Sequence, residues 1–165
     1  MIKLIKYILL LFSVCTFSQQ HILIGDSQTY LLARHSTKIT QIKRLCQSGI
    51  GVVELNRKLL KYRVSPTIKS ISVCIGVNDN YKDRGINILL NTITRTFPNA
   101  HLYIIQGSWG WGKVSKMNQN TLDKYYRHFK GTIIHPAIGK GDPHKDKKVY
   151  RIIMKNIENC LEIRK

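Results

Sequence analysis

The stretch His21-Ile-Leu-Ile-Gly-Asp-Ser-Gln-Thr-Tyr-Leu-Leu32 decides the fold of this chain. A short apolar run ends at Gly25 and an amphipathic run follows it, which predicts a buried strand that turns sharply into a helix. Ser27 lies on that turn. A hydroxyl at the carboxyl end of a parallel strand, beside the free N–H groups that open a helix, is placed as a nucleophile. The same residues are also common in ordinary turns and helix N-caps, so the motif alone leaves both interpretations open.

Strands and helices alternate through the rest of the chain. Further strands are predicted over Lys38 to Leu45 (near a sheet edge), Lys69 to Ile75, His101 to Gln106 and Gly131 to Ile134. Helices are predicted from Ser27 to near Ser36, over Val52 to Tyr62, Arg84 to Phe97 and Asn118 to His128, and through Val149 to Leu161. This alternation with short loops is typical of an α/β domain with a parallel sheet. Such sheets bind ligands outside the carboxyl ends of their strands, so functional residues are expected in the loops there.

Residues 1–18 are interpreted as a signal peptide. A basic segment with Lys3 and Lys6 precedes an apolar run from Tyr7 to Val14, and small residues precede the cleavage expected after Ser18. The apolar run is too short to cross a bilayer comfortably, so no transmembrane span is expected after cleavage. We therefore predict a secreted or periplasmic protein with one domain, residues 19–165.

The chain is strongly basic. Its formal net charge is +18, and the loss of Lys3 and Lys6 with the signal lowers that charge by two to +16. This excess favours salt-dependent electrostatic association with an anionic envelope or polysaccharide. The basic residues are scattered and form no aromatic-basic repeat, so no specific nucleic-acid partner is predicted. An alternative function, in which the protein only binds nucleic acid or an anionic surface, is supported by the net charge alone.

The three cysteines after the signal, Cys46, Cys74 and Cys160, have no CxxC spacing. An odd number without that spacing indicates neither a disulfide framework nor a zinc site. Cys74 lies inside an apolar run and is predicted to be a small core residue.

Residues with complementary chemistry follow four of the five predicted strands. Ser27 follows the first strand, Gly49 or Gly51 the second, Asn78 the third and His144 the fifth. All are expected at one edge of the sheet, where they would supply a nucleophile, oxyanion donors and a base. Each also has a structural interpretation, because glycines serve turns, Asn caps helices and His is common on surfaces. Gly49 is preferred over Gly51 because a helical apolar series begins just after the loop.

Four short motifs make the chain resemble the SGNH or GDSL-type hydrolases over nearly all of the residues after the signal. These motifs are Gly25-Asp26-Ser27-Gln28, Ser48-Gly49, Gly76-Val-Asn-Asp79 and Asp142-Pro-His144. The resemblance implies an α/β fold, a three-layer α/β/α sandwich around a flavodoxin-like five-stranded parallel sheet of order 2-1-3-4-5. It also implies ester hydrolysis through an acyl-enzyme, with no metal and no organic cofactor.

The resemblance also implies roles for individual residues. Ser27 would be the nucleophile, His144 the base and Asp142 the group that orients it. The oxyanion hole would consist of the backbone N–H groups of Ser27 and Gly49 and the side-chain amide of Asn78.

The last motif departs from the family pattern. The family usually has Asp three positions before His, whereas Asp142 stands two before His144. Asp146 or a backbone carbonyl are alternative orienting groups, and His135 is an alternative base.

Trp109 and Trp111 lie in a glycine-rich loop after the fourth predicted strand. They would stack on a sugar ring or line an acyl pocket, or one of them packs on a neighbouring helix. The predicted function is therefore serine ester hydrolysis of a small acyl ester, such as an acetyl ester, of a glycan or lipid. The irregular last motif favours an alternative, a catalytically weakened protein of this fold that binds a glycan, a lipid or another anionic surface.

Overall fold

The computed structural model describes residues 20–35, 39–105, 124–125, 127–134 and 147–162. The strands are β1 (Gln20–Gly25), β2 (Ile39–Cys46), β3 (Ile68–Cys74), β4 (His101–Ile105) and β5 (Thr132–Ile134). The longer helices are α1 (Ser27–Leu32), α2 (Val52–Leu59), α3 (Ile86–Thr96) and α4 (Lys147–Glu162). Two short 3-10 helices are Ala33–His35 and Val77–Asp79. The predicted signal peptide and the residues Trp109, Trp111, Asp142 and His144 lie outside the described residues.

The five strands form one all-parallel sheet in the order β2-β1-β3-β4-β5. The order and direction predicted from the sequence are confirmed, and β2 lies at an edge as expected. Because β1 lies between β2 and β3, the loops after those two strands flank the end of β1. At that end Gly25 is in register with Cys46 on one side and Cys74 on the other.

Alternating side chains of the strands divide the core between the two faces of the sheet. Ile22 and Ile24 of β1 point into one cluster, which also contains Leu55 of α2 and Leu89 of α3. Leu23 points into the other cluster, with Leu32 of α1 and residues of α4 such as Met154. The helices therefore cover both faces, which gives the predicted three-layer α/β/α arrangement. No helix within the described ranges combines the length and the apolar character needed to cross a bilayer.

The helix boundaries differ from the predicted ones by a few residues. The helix after Ser27 ends at Leu32 and continues as a 3-10 turn, and α2 ends at Leu59 instead of Tyr62. Helix α3 begins at Ile86, where the side chain of Asp83 accepts hydrogen bonds from the N–H groups of Gly85 and Ile86. Of the helix predicted over 118–128, residues 124–125 are helical and 127–128 form a turn.

Candidate functional site

The turn from β1 into α1 depends on a glycine. Gly25 has a φ of +136°, and a Cβ at this position would lie 1.9 Å from the carbonyl oxygen of Cys74 in β3. The next N–H group, that of Asp26, donates to the same Cys74 oxygen at 3.0 Å. A side chain is thus excluded at Gly25 by both sterics and backbone conformation. The tight turn makes Ser27 the first residue of α1, where it is 6% exposed.

Asp26 stabilises this turn as a buried helix N-cap. It is fully buried, and its Oδ1 accepts a hydrogen bond of 2.8 Å from the N–H of Gln28 as the N-cap of α1. Its Oδ2 is buried and has no hydrogen-bond partner among the described residues. The pKa of Asp26 is raised to about 7, mainly by burial, although the backbone N–H groups of Gln28 and Thr29 lower it; the charge of Asp79 makes a smaller raising contribution. The sequence motif contained this carboxyl, but its burial was not predicted.

The loop after β2 lies beside the Ser27 turn. The N–H of Gln47 donates to the oxygen of Gly25 at 3.1 Å, which ties the start of this loop to the end of β1. Gly49 is exposed and has a φ of +75°, a conformation that favours glycine. Gly51 is extended and is the N-cap residue of α2.

The turn after β3 reaches to the same loop. Gly76 has a φ of +126°, and a Cβ there would lie 2.7 Å from the hydroxyl of Tyr125. In the 3-10 helix that follows, the side-chain Nδ2 of Asn78 donates to the oxygen of Ile50 at 2.8 Å. The neighbouring Asp79 accepts a hydrogen bond of 2.8 Å from the N–H of Val52. The loops after β2 and β3 are therefore bonded to each other beside the end of β1.

Three of the predicted site residues thus lie in loops at the carboxyl edge of three adjacent strands. Ser27, Gly49 and Asn78 follow β1, β2 and β3, and hydrogen bonds connect their loops pairwise. The other predicted site residues, His144, Asp142, Trp109 and Trp111, lie outside the described residues. Asp79 lies in the third sequence motif, but its hydrogen bond to the loop after β2 was not predicted.

Two described histidines lie at the opposite end of the sheet. The ring nitrogen Nδ1 of His21 is hydrogen-bonded to the hydroxyl of Ser70, a residue that is 4% exposed. His101 in β4 lies 2.9 Å from the hydroxyl oxygen of Thr132. His21 and His101 are both in register with Ser70, so they form a polar row near the amino ends of the strands.

The cysteines have structural positions. Cys46 and Cys74 are buried and form no disulfide, and the thiol of Cys46 donates to the oxygen of Leu23 at 2.8 Å. Cys74 is 1% exposed, which confirms the prediction that it is a core residue, and burial raises the pKa of its thiol. Within the described ranges, no group of three or more His, Cys, Asp or Glu side chains is arranged to hold a metal ion.

Known proteins resemble this chain in structure and not in sequence. No protein-family model and no curated protein sequence matches this chain. Its structure is similar to that of a GDSL-like lipase from Bacteroides thetaiotaomicron, with a TM-score of 0.58, 10% identity and coverage of 90% of each chain. It is also similar to the catalytic domain of peptidoglycan O-acetyltransferase A from Streptococcus pneumoniae, with a TM-score of 0.53, 15% identity and coverage of 88% of this chain and 93% of that one.

A third similar structure is a family two carbohydrate esterase from Clostridium thermocellum in complex with cellohexaose, with a TM-score of 0.58 and 12% identity. The alignment covers 88% of this chain and 64% of the esterase, so this chain spans about two thirds of that protein. At these identities the similarities show the fold alone, an α/β fold with the five-stranded parallel sheet and strand order that were predicted from the sequence.

Proposed function

We propose that this chain is a serine ester hydrolase that works through an acyl-enzyme on a small acyl ester, such as an acetyl ester, of a glycan or lipid. One observation carries the proposal: the loops of Ser27, Gly49 and Asn78 follow three adjacent parallel strands and are bonded to one another. The solved structures of the same fold are of enzymes named as a lipase, a carbohydrate esterase and an O-acetyltransferase, which supports this reaction class.

In the proposed reaction, the hydroxyl oxygen of Ser27 attacks the ester carbonyl carbon while His144 accepts the hydroxyl proton. Asp142 orients the imidazole and stabilises its protonated form. Collapse of the tetrahedral intermediate breaks the ester bond, and His144 returns the proton to the departing alcohol. Water, activated by His144, then hydrolyses the acyl-Ser27 ester and releases the carboxylic acid.

The negative charge on the carbonyl oxygen would be stabilised by the backbone N–H groups of Ser27 and Gly49 and by the side-chain amide of Asn78. An amide nitrogen has two N–H donors. One donor of Asn78 is bonded to the oxygen of Ile50, which orients the amide, and we propose that the other donor binds the substrate oxygen. Trp109 and Trp111 are proposed to line the substrate site, and the basic surface to favour an anionic envelope or glycan.

The test uses an aryl acetate ester and two serine variants of the full chain. We expect Ser27→Ala to lower turnover by about a thousandfold or more, because the nucleophile is lost. Ser70→Ala is the matched control, since Ser70 is also buried and is hydrogen-bonded to a histidine, but at the other end of the sheet. It should keep the turnover of the parent.

Covalent labelling gives a second measurement. A sulfonyl fluoride should modify the tryptic peptide that ends at Arg34 and contains Ser27, and leave the peptide with Ser70 unmodified. Equal turnover in the parent and in Ser27→Ala would remove Ser27 from the mechanism. No turnover in the parent, together with retained binding of an acetylated polysaccharide, would favour the weakened binding protein instead.

A further inference from the structure

Two side chains from the turn after β3 bind the backbone of the loop after β2. Asn78 donates to the oxygen of Ile50, and Asp79 accepts from the N–H of Val52, both at 2.8 Å. The two bonds run in opposite directions and join the adjacent residues Asn78 and Asp79 to Ile50 and Val52, the two neighbours of Gly51, so they restrict both rotation and sliding of one loop relative to the other. The two loops carry two of the three proposed oxyanion donors, the N–H of Gly49 and the side-chain amide of Asn78.

The carboxylate of Asp79 is also packed tightly against the loop that it binds. A Cβ on Gly51 would lie 2.6 and 2.9 Å from its two oxygens, so the contact is possible only with glycine at that position. The charge of Asp79 also contributes, as the smallest cause, to the raised pKa of buried Asp26, the residue before Ser27.

We propose that Asp79 is a positioning residue for the oxyanion hole, which it assembles by holding the glycine loop after β2 against the Asn78 turn. This inference rests on the proposed function. Asp79 does not contact the substrate in this scheme. It fixes the end of the loop at Val52, and so fixes the N–H of Gly49 relative to the second N–H of Asn78, which lets both donors point to one oxygen.

Asp83 provides a matched comparison. It lies in the same connection between β3 and α3 and also accepts backbone N–H bonds at the start of a helix, from Gly85 and Ile86. The helix that Asp83 caps follows it directly in sequence, whereas the helix that Asp79 caps belongs to the neighbouring loop. If Asp79 were only a structural helix cap, the alanine variants of Asp79 and Asp83 would have the same phenotype.

The first test compares Asp79→Ala, Asp79→Asn and Asp83→Ala in the full chain. We expect Asp79→Ala to lower kcat by about tenfold to a hundredfold with KM within about twofold, because donors are misplaced for the transition state. Asp79→Asn keeps an oxygen acceptor for Val52 and should retain turnover within about threefold of the parent. Asp83→Ala should lower the melting temperature like Asp79→Ala and leave kcat unchanged.

The second test uses the close contact with Gly51. Gly51→Ala should displace the Asp79 carboxylate and reproduce the loss of kcat. Alanine readily adopts the φ of −107° at this position, so the loss would come from the displaced carboxylate and not from backbone strain. In the Asp79→Ala background the added methyl group has space, so Gly51→Ala should cost little further turnover. Two losses that multiply in the double variant would show that the residues act separately and would overturn the inference.

The outcomes separate this inference from the proposed function. If Ser27→Ala abolishes turnover but Asp79→Ala matches Asp83→Ala in kcat, the hydrolase proposal stands and the positioning role is wrong. If Ser27→Ala keeps full turnover, the proposed function fails first.

Discussion

The two ends of the central sheet each contain a buried serine, but they surround it differently. At the amino end Ser70 is hydrogen-bonded to His21 and lies within regular strand pairing. At the carboxyl end Ser27 follows a sharp turn, between two loops that are bonded to each other. A serine-histidine hydrogen bond thus also occurs within regular strand pairing, away from the carboxyl edge, so that bond does not by itself mark a site for ester hydrolysis.

Positive φ angles also distinguish the two ends. Gly25, Gly49 and Gly76 each lie at or just after the end of a strand and have a φ between +75° and +136°. Such residues reverse the chain and leave backbone N–H groups unused by the sheet. At the amino end, Gly131 before β5 has no such angle. The comparison therefore predicts that substitutions at the carboxyl end lower turnover more than similar substitutions at the amino end, and that substitutions of glycines there also lower stability more.

The largest expected effect is on stability, at Gly25. Gly25→Ala should lower the free energy of unfolding by about 4 kcal/mol or more, because its Cβ would overlap a backbone oxygen and its φ is unfavourable for alanine. Gly131→Ala also brings a Cβ to 2.5 Å from a backbone oxygen, that of Leu102. However, Gly131 precedes an edge strand that can shift, so about 2 kcal/mol is expected. Equal losses in urea unfolding would contradict this difference.

The second effect concerns the buried carboxyl of Asp26. Its pKa is about 7 in the folded protein and 3.8 in the unfolded chain. Between these values the unfolded chain has released the proton while the folded protein keeps it, so stability falls as the pH rises from about 4 to 7. Asp26→Asn removes this dependence and should stabilise the protein at pH 8 by up to about 4 kcal/mol relative to the parent, with little difference near pH 4.

Asp83→Asn is the control for this pH dependence and should show the opposite sign. Hydrogen bonds from the N–H groups of Ile86 and Gly85 lower the pKa of exposed Asp83. Its contribution is therefore present at neutral pH and is lost in acid, so the variant should be less stable than the parent at pH 7 only. Unfolding by urea at several pH values measures both variants. If the stability of the parent changes from pH 4 to 8 in the same way as that of Asp26→Asn, the role of Asp26 is contradicted.

The sequence predicted the fold well because the fold depends on local patterns. Apolar alternation in β1 and β3 and helical spacing in α2 and α3 correctly gave the elements, to within a few residues. The parallel sheet followed from their alternation, and its order from the resemblance to a known family. The predicted boundaries were wrong where a side chain outside the helix binds its first N–H groups. Helix α3, for example, was predicted to begin at Arg84 but begins at Ile86, whose N–H donates to Asp83.

For the candidate site, the sequence predicted where the residues lie in the fold but not the contacts between them. The motifs placed Ser27, Gly49 and Asn78 at the carboxyl edge. The bond from Val52 to Asp79, however, joins residues that are distant in sequence, and the burial of Asp26 results from packing in the folded chain. Neither has a periodic signal. The absence of room for a Cβ at Gly51 likewise depends on a residue 28 positions further on, so only the folded chain shows it.

The smallest of the three effects compares two asparagines that make the same kind of bond. Asn78 donates to the oxygen of Ile50 at the carboxyl end, and Asn99 donates to the oxygen of Pro66 at the amino end, at 2.8 and 3.0 Å. Each alanine variant should lose about 1 kcal/mol of stability, because each removes one hydrogen bond. Only Asn78→Ala should also lower kcat, by about a hundredfold or about 3 kcal/mol, because it removes a proposed oxyanion donor.

Steady-state hydrolysis of an aryl acetate measures this difference, and Asn78→Asp provides a further variant that keeps the size of the side chain without its N–H donors. Asn78→Asp should be at least as inactive as Asn78→Ala, because a carboxylate would repel the developing oxyanion. If Asn78→Ala and Asn99→Ala turn over the ester equally well, the loops at the carboxyl end orient no donor for the reaction. The two ends of the sheet would then differ in conformation alone.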